Sequence, residues 1–446
     1  MRLRLGQLAE RTPAGRERYV DLLRALAITM VVLGHWSVTV IGTDAAGHPT
    51  GRSALPDLPW AYPLTWVAQV MPIFFLVGGF ANAASLTARR RRGADATGWL
   101  LDRAARLLRP TTALLLVLAG GAVVASLAGV PATLVRTVVW FATIPLWFLA
   151  AYLLVVPLTP VMHALHRRFG LLVPLALVVL VAAGDAGRAL GPEQYALGNY
   201  VFGWLAVHQL GFAWFDARSP ATPARTGPRA TRLPLSRRAG WTMLLAGLAV
   251  TVLLTSVGPY PVAMLNVPGE RLDNAAPPSV ALLTLTTAQL GLIVLLRRPV
   301  ERWLHRRRPW LVVIAVNAVV LTVFLWHLTA AILLVGALDA VGLLPTPPAG
   351  SAAWLAWRLP WVLLLTVVLT VLVALFGPIE ARTGRRPDHA GRSGVRGTLA
   401  VAGFAAVVYA LVCNAQTPKE APEPLGVPVA ALVAYLAGAG VLRLLR

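Results

Sequence analysis

The sequence predicts an all-α polytopic membrane protein, and three observations predict it. The 446 residues are 57% hydrophobic and only 13% charged, with a mean hydropathy of +0.69, far too apolar for a soluble chain of this size. Apolar runs of roughly 20 residues, the length that crosses a ~30 Å hydrocarbon core, recur from end to end. The net charge of +22 is gathered in clusters between those runs. It therefore reads as membrane topology rather than a nucleic-acid footprint. A lipid bilayer is the expected surrounding, and no nucleic-acid partner is expected.

Twelve spans follow from the apolar runs, at 19–42, 60–87, 109–130, 139–162, 171–190, 199–215, 241–257, 279–296, 310–336, 353–377, 398–414 and 425–443. Lys and Arg test the alternation, because cytoplasmic loops collect them. With the N-terminus inside, 33 of the 40 fall in inner segments, and the outer loops hold only Arg52, Arg136, Arg188, Arg271, Arg358 and Lys419. This predicts a multi-pass protein of the cell membrane with both termini cytoplasmic. The first 20 residues carry five Arg and no apolar core, which predicts a cytoplasmic tail ahead of a retained helix and no cleavable signal. The Pro-, Ala- and Arg-rich stretch 216–238 has the composition of a flexible linker. The expected organisation is a basic tail at 1–18, a ten-helix unit at 19–377, a basic cytoplasmic linker at 378–397 and two further transmembrane helices at 398–446.

Within the first span, DLLRALAITMVVLGHW, the apolar run carries Asp21, Arg24 and His35. An ionisable group in a membrane helix costs a few kcal/mol or more and usually faces protein or a water-filled cavity. Arg24 and His35 are eleven residues apart, about 20° past three full turns, so they share a face, with His35 roughly 16 Å farther along the axis. That places Arg24 near the cytoplasmic surface and His35 around or just beyond mid-membrane. Asp21, three residues before Arg24, can neighbour it. Two readings stand side by side: a functional pair, or a helix start marked by Asp21 and Arg24 with His35 merely bonding a neighbouring helix.

Other polar residues fall at similar depth: Gln69, His208, Gln209, Gln289, Asn317 and His327. They either converge on one cavity or act singly as glue between helices, and His327 in FLWHLTA is the best functional candidate among them. Arg103, Arg106 and Arg109 recur at i, i+3, i+6 after ARRRRG. Guanidinium groups so spaced suit phosphates, while the positive-inside rule accounts for the preceding run without a ligand. Asp185, Asp339 and Glu380 fall at span ends, so the mid-span carboxylates of many proton-coupled carriers are missing. The chain has no G-x-S-x-G, no P-loop and no H-E-x-x-H. Its one cysteine, Cys413, excludes a disulfide framework and a multi-Cys metal site.

These residues resemble the membrane-bound acyltransferase-3 family. The family's Arg, ten residues and His in helix 1 are matched by Arg24 and His35, and its F-F-x-x-S-G-F is similar to FFLVGGF, Phe74 to Phe80, with Gly78 where Ser is usual. RAAR at 103–106, WFLAAYLL at 147–154, HQLGFAW at 208–214 and FLWH at 324–327 also resemble family segments. The resemblance covers about residues 19–377 and implies a ten-helix acyltransferase-like core. It also implies transfer of an acyl group, often acetyl, from cytoplasmic acyl-CoA to a hydroxyl of a glycan, lipid or small natural product. His35 would then be the general base. Arg24, Arg103, Arg106 and Arg109 would hold the acyl-CoA, and Asp21, His208, Gln289 and His327 would stand around them. Acyl-CoA is expected as a donor substrate, with no cofactor and no metal. The alternatives are a transporter or flippase, for which polytopic architecture also suffices, and a sensor or scaffold that keeps the core without turnover.

Overall fold

The computed structural model describes residues 16–44, 47–93, 95–219, 232–267, 270, 272–381 and 394–446. Most of the basic tail and most of the two linkers expected at 216–238 and 378–397 therefore lie outside the described residues, as does Arg271. Among the described residues, ten helices are long and apolar enough to cross a membrane, and the only paired strands form one short hairpin.

The chain forms two compact units. The first comprises Met1–Met30, Pro59–Ala88 and Leu158–Asn317, and the second Val31–Leu58, Arg89–Pro157 and Ala318–Arg446. Helix α1, Arg18–Val38, begins in the first and ends in the second.

In the first unit, α2, Met71–Arg91, packs against α7, Asn199–Arg218. A Cβ on Gly79 would collide with the His208 carbonyl, and one on Gly211 with the Leu76 carbonyl, so the two backbones meet where only glycine fits. Phe75 stacks on Trp204, with centroids 4.4 Å apart, and Phe80 meets Trp214 edge-on at 5.3 Å. The segments FFLVGGF and HQLGFAW are thus two halves of one contact.

Helix α6, Leu172–Leu190, carries a buried ion pair, Asp185 with Arg188 at 3.0 Å. Asp185 also accepts from Asn199 Nδ2 at 3.0 Å, the Tyr260 hydroxyl at 2.9 Å and the Val280 amide at 2.8 Å, and Arg188 donates to the Asp273 carbonyl at 2.9 Å. Together they pin the 257–279 loop between α8, Arg237–Ser256, and α9, Val280–Leu304. Burial pushes the Asp273 carboxyl above its ordinary range, against the opposing amides of Ala275 and Ala276. The first unit closes with α10, Arg307–Asn317.

The second unit holds α3, Ala96–Leu127, started by the Asp95 side chain accepting from Gly98 N. It also holds α4, Ala132–Thr143, and the first half of α5, Leu146–Phe169. Beyond these come α11, Val320–Ala340, α12, Ala352–Ala381, α13, Gly394–Gln416, and α14, Val429–Leu444. The last two pack against α3 and α4. Arg136, 1% exposed, donates to the carbonyls of Thr417 at 2.6 Å and Pro418 at 3.2 Å. The Tyr435 hydroxyl donates to the Leu108 carbonyl at 3.2 Å.

Several expected spans are interrupted. The 139–162 span divides into α4 and α5 at Pro145, which cannot donate a helical hydrogen bond. The 310–336 span divides into α10 and α11 around Ala318 and Val319. Residues 60–87 begin as a 3-10 segment and a single turn, Thr65–Ala68, before α2. The 199–215 and 425–443 runs form α7 and α14, but α7 is more polar than the ten long apolar helices and α14 has 16 residues. Three cations expected in outer loops sit inside helices instead: Arg136 in α4, Arg188 in α6 and Arg358 in α12. Each donates to a backbone carbonyl or a carboxylate.

Candidate functional site

Where α1 stops decides what His35 can do. The expected span ran to residue 42, yet the helix ends at Val38 and continues as β1, Thr39–Thr43, paired antiparallel with β2, Pro49–Ser53. Thr39, Val40 and Ile41 are β-branched and favour that strand. His35 therefore lies in the last turn of α1 rather than midway along it. The last carbonyls of a helix need outside donors, and the second unit supplies them. Thr39 Oγ1 donates to His35 O at 2.6 Å, Trp361 Nε1 to Trp36 O at 3.1 Å and Ala54 N to Val38 O at 2.6 Å. Arg358 Nη1 adds a bond to Thr39 O at 2.8 Å.

The His35 ring, so seated, meets His327 of α11. His35 Nδ1 and His327 Nε2 are 2.7 Å apart, and the ring planes differ by 12° with centroids 5.0 Å apart. That centroid separation is the N···N distance plus one ring radius at each end, so the rings lie nearly in one plane and meet edge to edge. His327 is 0% exposed, whereas His35 is only partly buried. His327 Nδ1 approaches the Phe324 carbonyl at 2.6 Å. Trp36 Nε1 donates to His327 O at 3.0 Å, a second tie between α1 and α11. Phe148 of α5 packs edge-on against Phe324 at 5.4 Å. The segments containing His35, WFLAAYLL and FLWH thus converge in the second unit, a pairing across 292 residues; the resemblance sets His327 around the site, and the direct bond to His35 is what the structure adds.

The second unit also carries Arg103, Arg106 and Arg109, on the first half of α3. They belong to the same continuous helix as the following apolar run. Arg103 is half-buried, its guanidinium 5.5 Å from the Trp99 ring centroid, while Arg106 and Arg109 are exposed. Asp102 beside them binds Arg89 at 2.7 Å and Arg446 at 3.3 Å.

The remaining candidates lie in the first unit. Arg24 Nη1 reaches Asp21 Oδ1 at 3.1 Å, and the other oxygen of Asp21 holds Arg16 at 2.6 Å. Asn317 donates to the Asp21 carbonyl at 2.9 Å. His208 meets Asn82 at 3.1 Å between α7 and α2. Gln289 donates to the Gln69 carbonyl at 2.7 Å, Gln69 to Met264 O at 2.6 Å and Gln209 to Met162 O at 3.0 Å. Gln289 thereby satisfies a carbonyl orphaned by the break before α2, and these amides act as stitches between segments.

With this geometry in view, an acyltransferase-domain family profile matches residues 17–377. The chain belongs to the acyltransferase-3 family. It is accordingly a membrane acyltransferase, acting on an acyl donor and an acceptor in a lipid bilayer, and the transporter and scaffold alternatives give way to an enzyme. No curated protein and no solved structure matches the chain. The acyltransferase-3 match ends at residue 377, within α12, before the last two helices.

Proposed function

We propose that this acyltransferase-3 protein moves an acyl group, acetyl above all, from cytoplasmic acyl-CoA to a hydroxyl of a glycan, lipid or secreted small molecule, with His35 as general base. One observation carries the assignment of the base: among the described residues no group hydrogen-bonds His35 Nε2, and the His35 ring is only partly buried. A nitrogen in this state can accept the proton of an incoming hydroxyl. The hydroxyl oxygen then attacks the thioester carbonyl, a C–O bond forms, the C–S bond breaks, and the imidazolium returns the proton to the departing sulfur.

Arg103, Arg106 and Arg109 offer phosphate-binding donors at helical spacing, and Arg24 retains guanidinium N–H groups beyond its single bond to Asp21. Arg can present paired donors to phosphate oxygens, so the basic positions suit the nucleotide end of acyl-CoA. The clustering of Lys and Arg supports a cell-membrane protein with both ends in the cytoplasm.

Radiolabelled acetyl-CoA supplied to purified protein in vesicles, with mass spectrometry of glycans, lipids and secreted metabolites from a deletion strain, tests this reading. Consumption of the donor together with loss of one acyl mass increment in the deletion strain is the expected result. No donor consumption with any short acyl-CoA, despite an intact fold, would overturn it.

A further inference from the structure

We infer that His327 is a positioning residue that holds His35 in the one tautomer with a bare Nε2, using a neutral imidazole where many enzymes use a carboxylate. The inference rests on the reading of His35 as general base, but it follows from a proton count that starts at a backbone carbonyl.

The Phe324 carbonyl can only accept, so the 2.6 Å contact with His327 Nδ1 requires the proton on that nitrogen. A neutral imidazole has one N–H, which leaves His327 Nε2 as a lone pair. Facing it at 2.7 Å, His35 Nδ1 must then donate. Having placed its single proton on Nδ1, neutral His35 presents Nε2 bare. The nearly coplanar, end-to-end arrangement of the rings is the geometry such a bond prefers. The opposite order needs His327 to be an imidazolium. His327 is 0% exposed, and neither ring has a carboxylate partner among the described residues. An unpaired charge there carries a prohibitive desolvation cost.

The device works through the whole turnover. As the acceptor's proton arrives on His35 Nε2, the bond from His35 Nδ1–H to His327 Nε2 becomes charge-assisted and stronger. His327 keeps its own proton on Nδ1 throughout, and the proton on His35 Nε2 leaves with the CoA sulfur. In the Ser-His-Asp arrangement a carboxylate sets the tautomer of its histidine. A histidine anchored on a backbone carbonyl does the same without burying a permanent negative charge in lipid, consistent with spans that carry carboxylates only near their ends.

The test is made on the full chain with His327→Gln and His327→Leu. The Gln side-chain oxygen can replace Nε2 as acceptor, and Leu cannot accept. Samples labelled with 15N-histidine are read by NMR, the His35 signals being assigned by their loss in His35→Gln. Wild type and His327→Gln should show protonated Nδ1 and bare Nε2 on His35, and His327→Leu should move protonation towards Nε2. In acetyl-CoA turnover, His327→Gln should stay within about tenfold of wild type, and His327→Leu should lose about 10²–10⁴ in kcat with KM for the donor nearly unchanged, the upper end being that of a base held in the wrong tautomer.

A wild-type spectrum with Nε2 protonated would overturn the inference, and so would a folded His327→Leu protein whose His35 tautomer is unchanged. A His327→Gln protein with native melting temperature and native tautomer but the kcat of His327→Leu would also overturn it, because positioning alone would not then suffice. If His327→Leu fails to fold, the wild-type and His327→Gln spectra still decide. A wild-type protein inactive with every acyl-CoA would instead sink the proposed function, and the tautomer result would stand separately.

Discussion

His35 owes its place in the last turn of α1 to the stop at Val38 and its orientation to a residue 292 positions away. The helix-1 motif pointed to His35 by residue type, and the structure adds the partner that determines which nitrogen is available. His35→Ala, →Asn and →Gln should each bind acyl-CoA with near-native affinity while turnover falls by roughly 10²–10⁴, the usual contribution of a positioned acid or base. A well-folded, active His35→Gln enzyme would leave His35 a structural residue and make His327 the next candidate base.

Arg24 is a different case, since its bond to Asp21 uses one guanidinium nitrogen. Arg24→Lys keeps the charge and loses the planar fork, so activity at equal expression should still drop if paired donors grip phosphate. Wild-type rates would reduce Arg24 to a point charge.

At the scale of elements, helix ends are finished by side chains from distant helices. The first amides of α11 have no partners within their own helix, and the Glu380 carboxylate of α12 takes them. It accepts from Leu321 N at 3.2 Å, from Thr322 N at 2.8 Å and from Thr322 Oγ1 at 2.7 Å. A carboxylate also suits the positive end of a helix. From sequence, Glu380 was legible only as a charge at a span end. Glu380→Ala should lower stability by about 1–2 kcal/mol, the range of a lost cap, and Glu380→Gln, which keeps one acceptor, should cost less. Thermal melts in detergent read both. Equal melting temperatures for the two variants would show that the cap carries little. Because His327 sits two turns beyond this cap, the same substitution should also loosen its register against His35, visible as a broadened His35 nitrogen signal.

At the scale of the molecule, the family-like segments sort by unit: FFLVGGF against HQLGFAW in the first, and His35, WFLAAYLL and FLWH in the second. The last two helices belong to the second unit as well, by contact, although the family match ends at residue 377. We predict that a chain cut after residue 381, which keeps α12 and its Glu380 cap, still inserts, because the family match ends before the helices removed, but melts below the full protein. The cut strips the buried Arg136 of its Thr417 and Pro418 acceptors, and an uncompensated buried charge typically costs about 3–5 kcal/mol. Arg136→Met should therefore destabilise the full chain and raise the melting temperature of the truncated one. Parallel effects in both backgrounds would show that Arg136 does not couple the last helices to α4.

Membrane residence, helical class and the clustering of basic residues between apolar runs were determined by the sequence by itself. Each is a sum of local transfer free energies, and apolar length and charge are written along the chain. The helix-1 Arg and His, the Arg triplet and the candidate His327 were legible as residue types for the same local reason. Which polar groups meet was decided only by the tertiary structure. Gln289 turned out to serve a backbone carbonyl and His208 to meet Asn82, and Arg136 and Arg188 proved to be buried ties rather than loop charges. His35 and His327 became one hydrogen-bonded pair. A hydrogen bond is defined within a few tenths of an ångström and a few tens of degrees, and for partners far apart in sequence that precision comes from packing, helix breaks and caps contributed by distant segments.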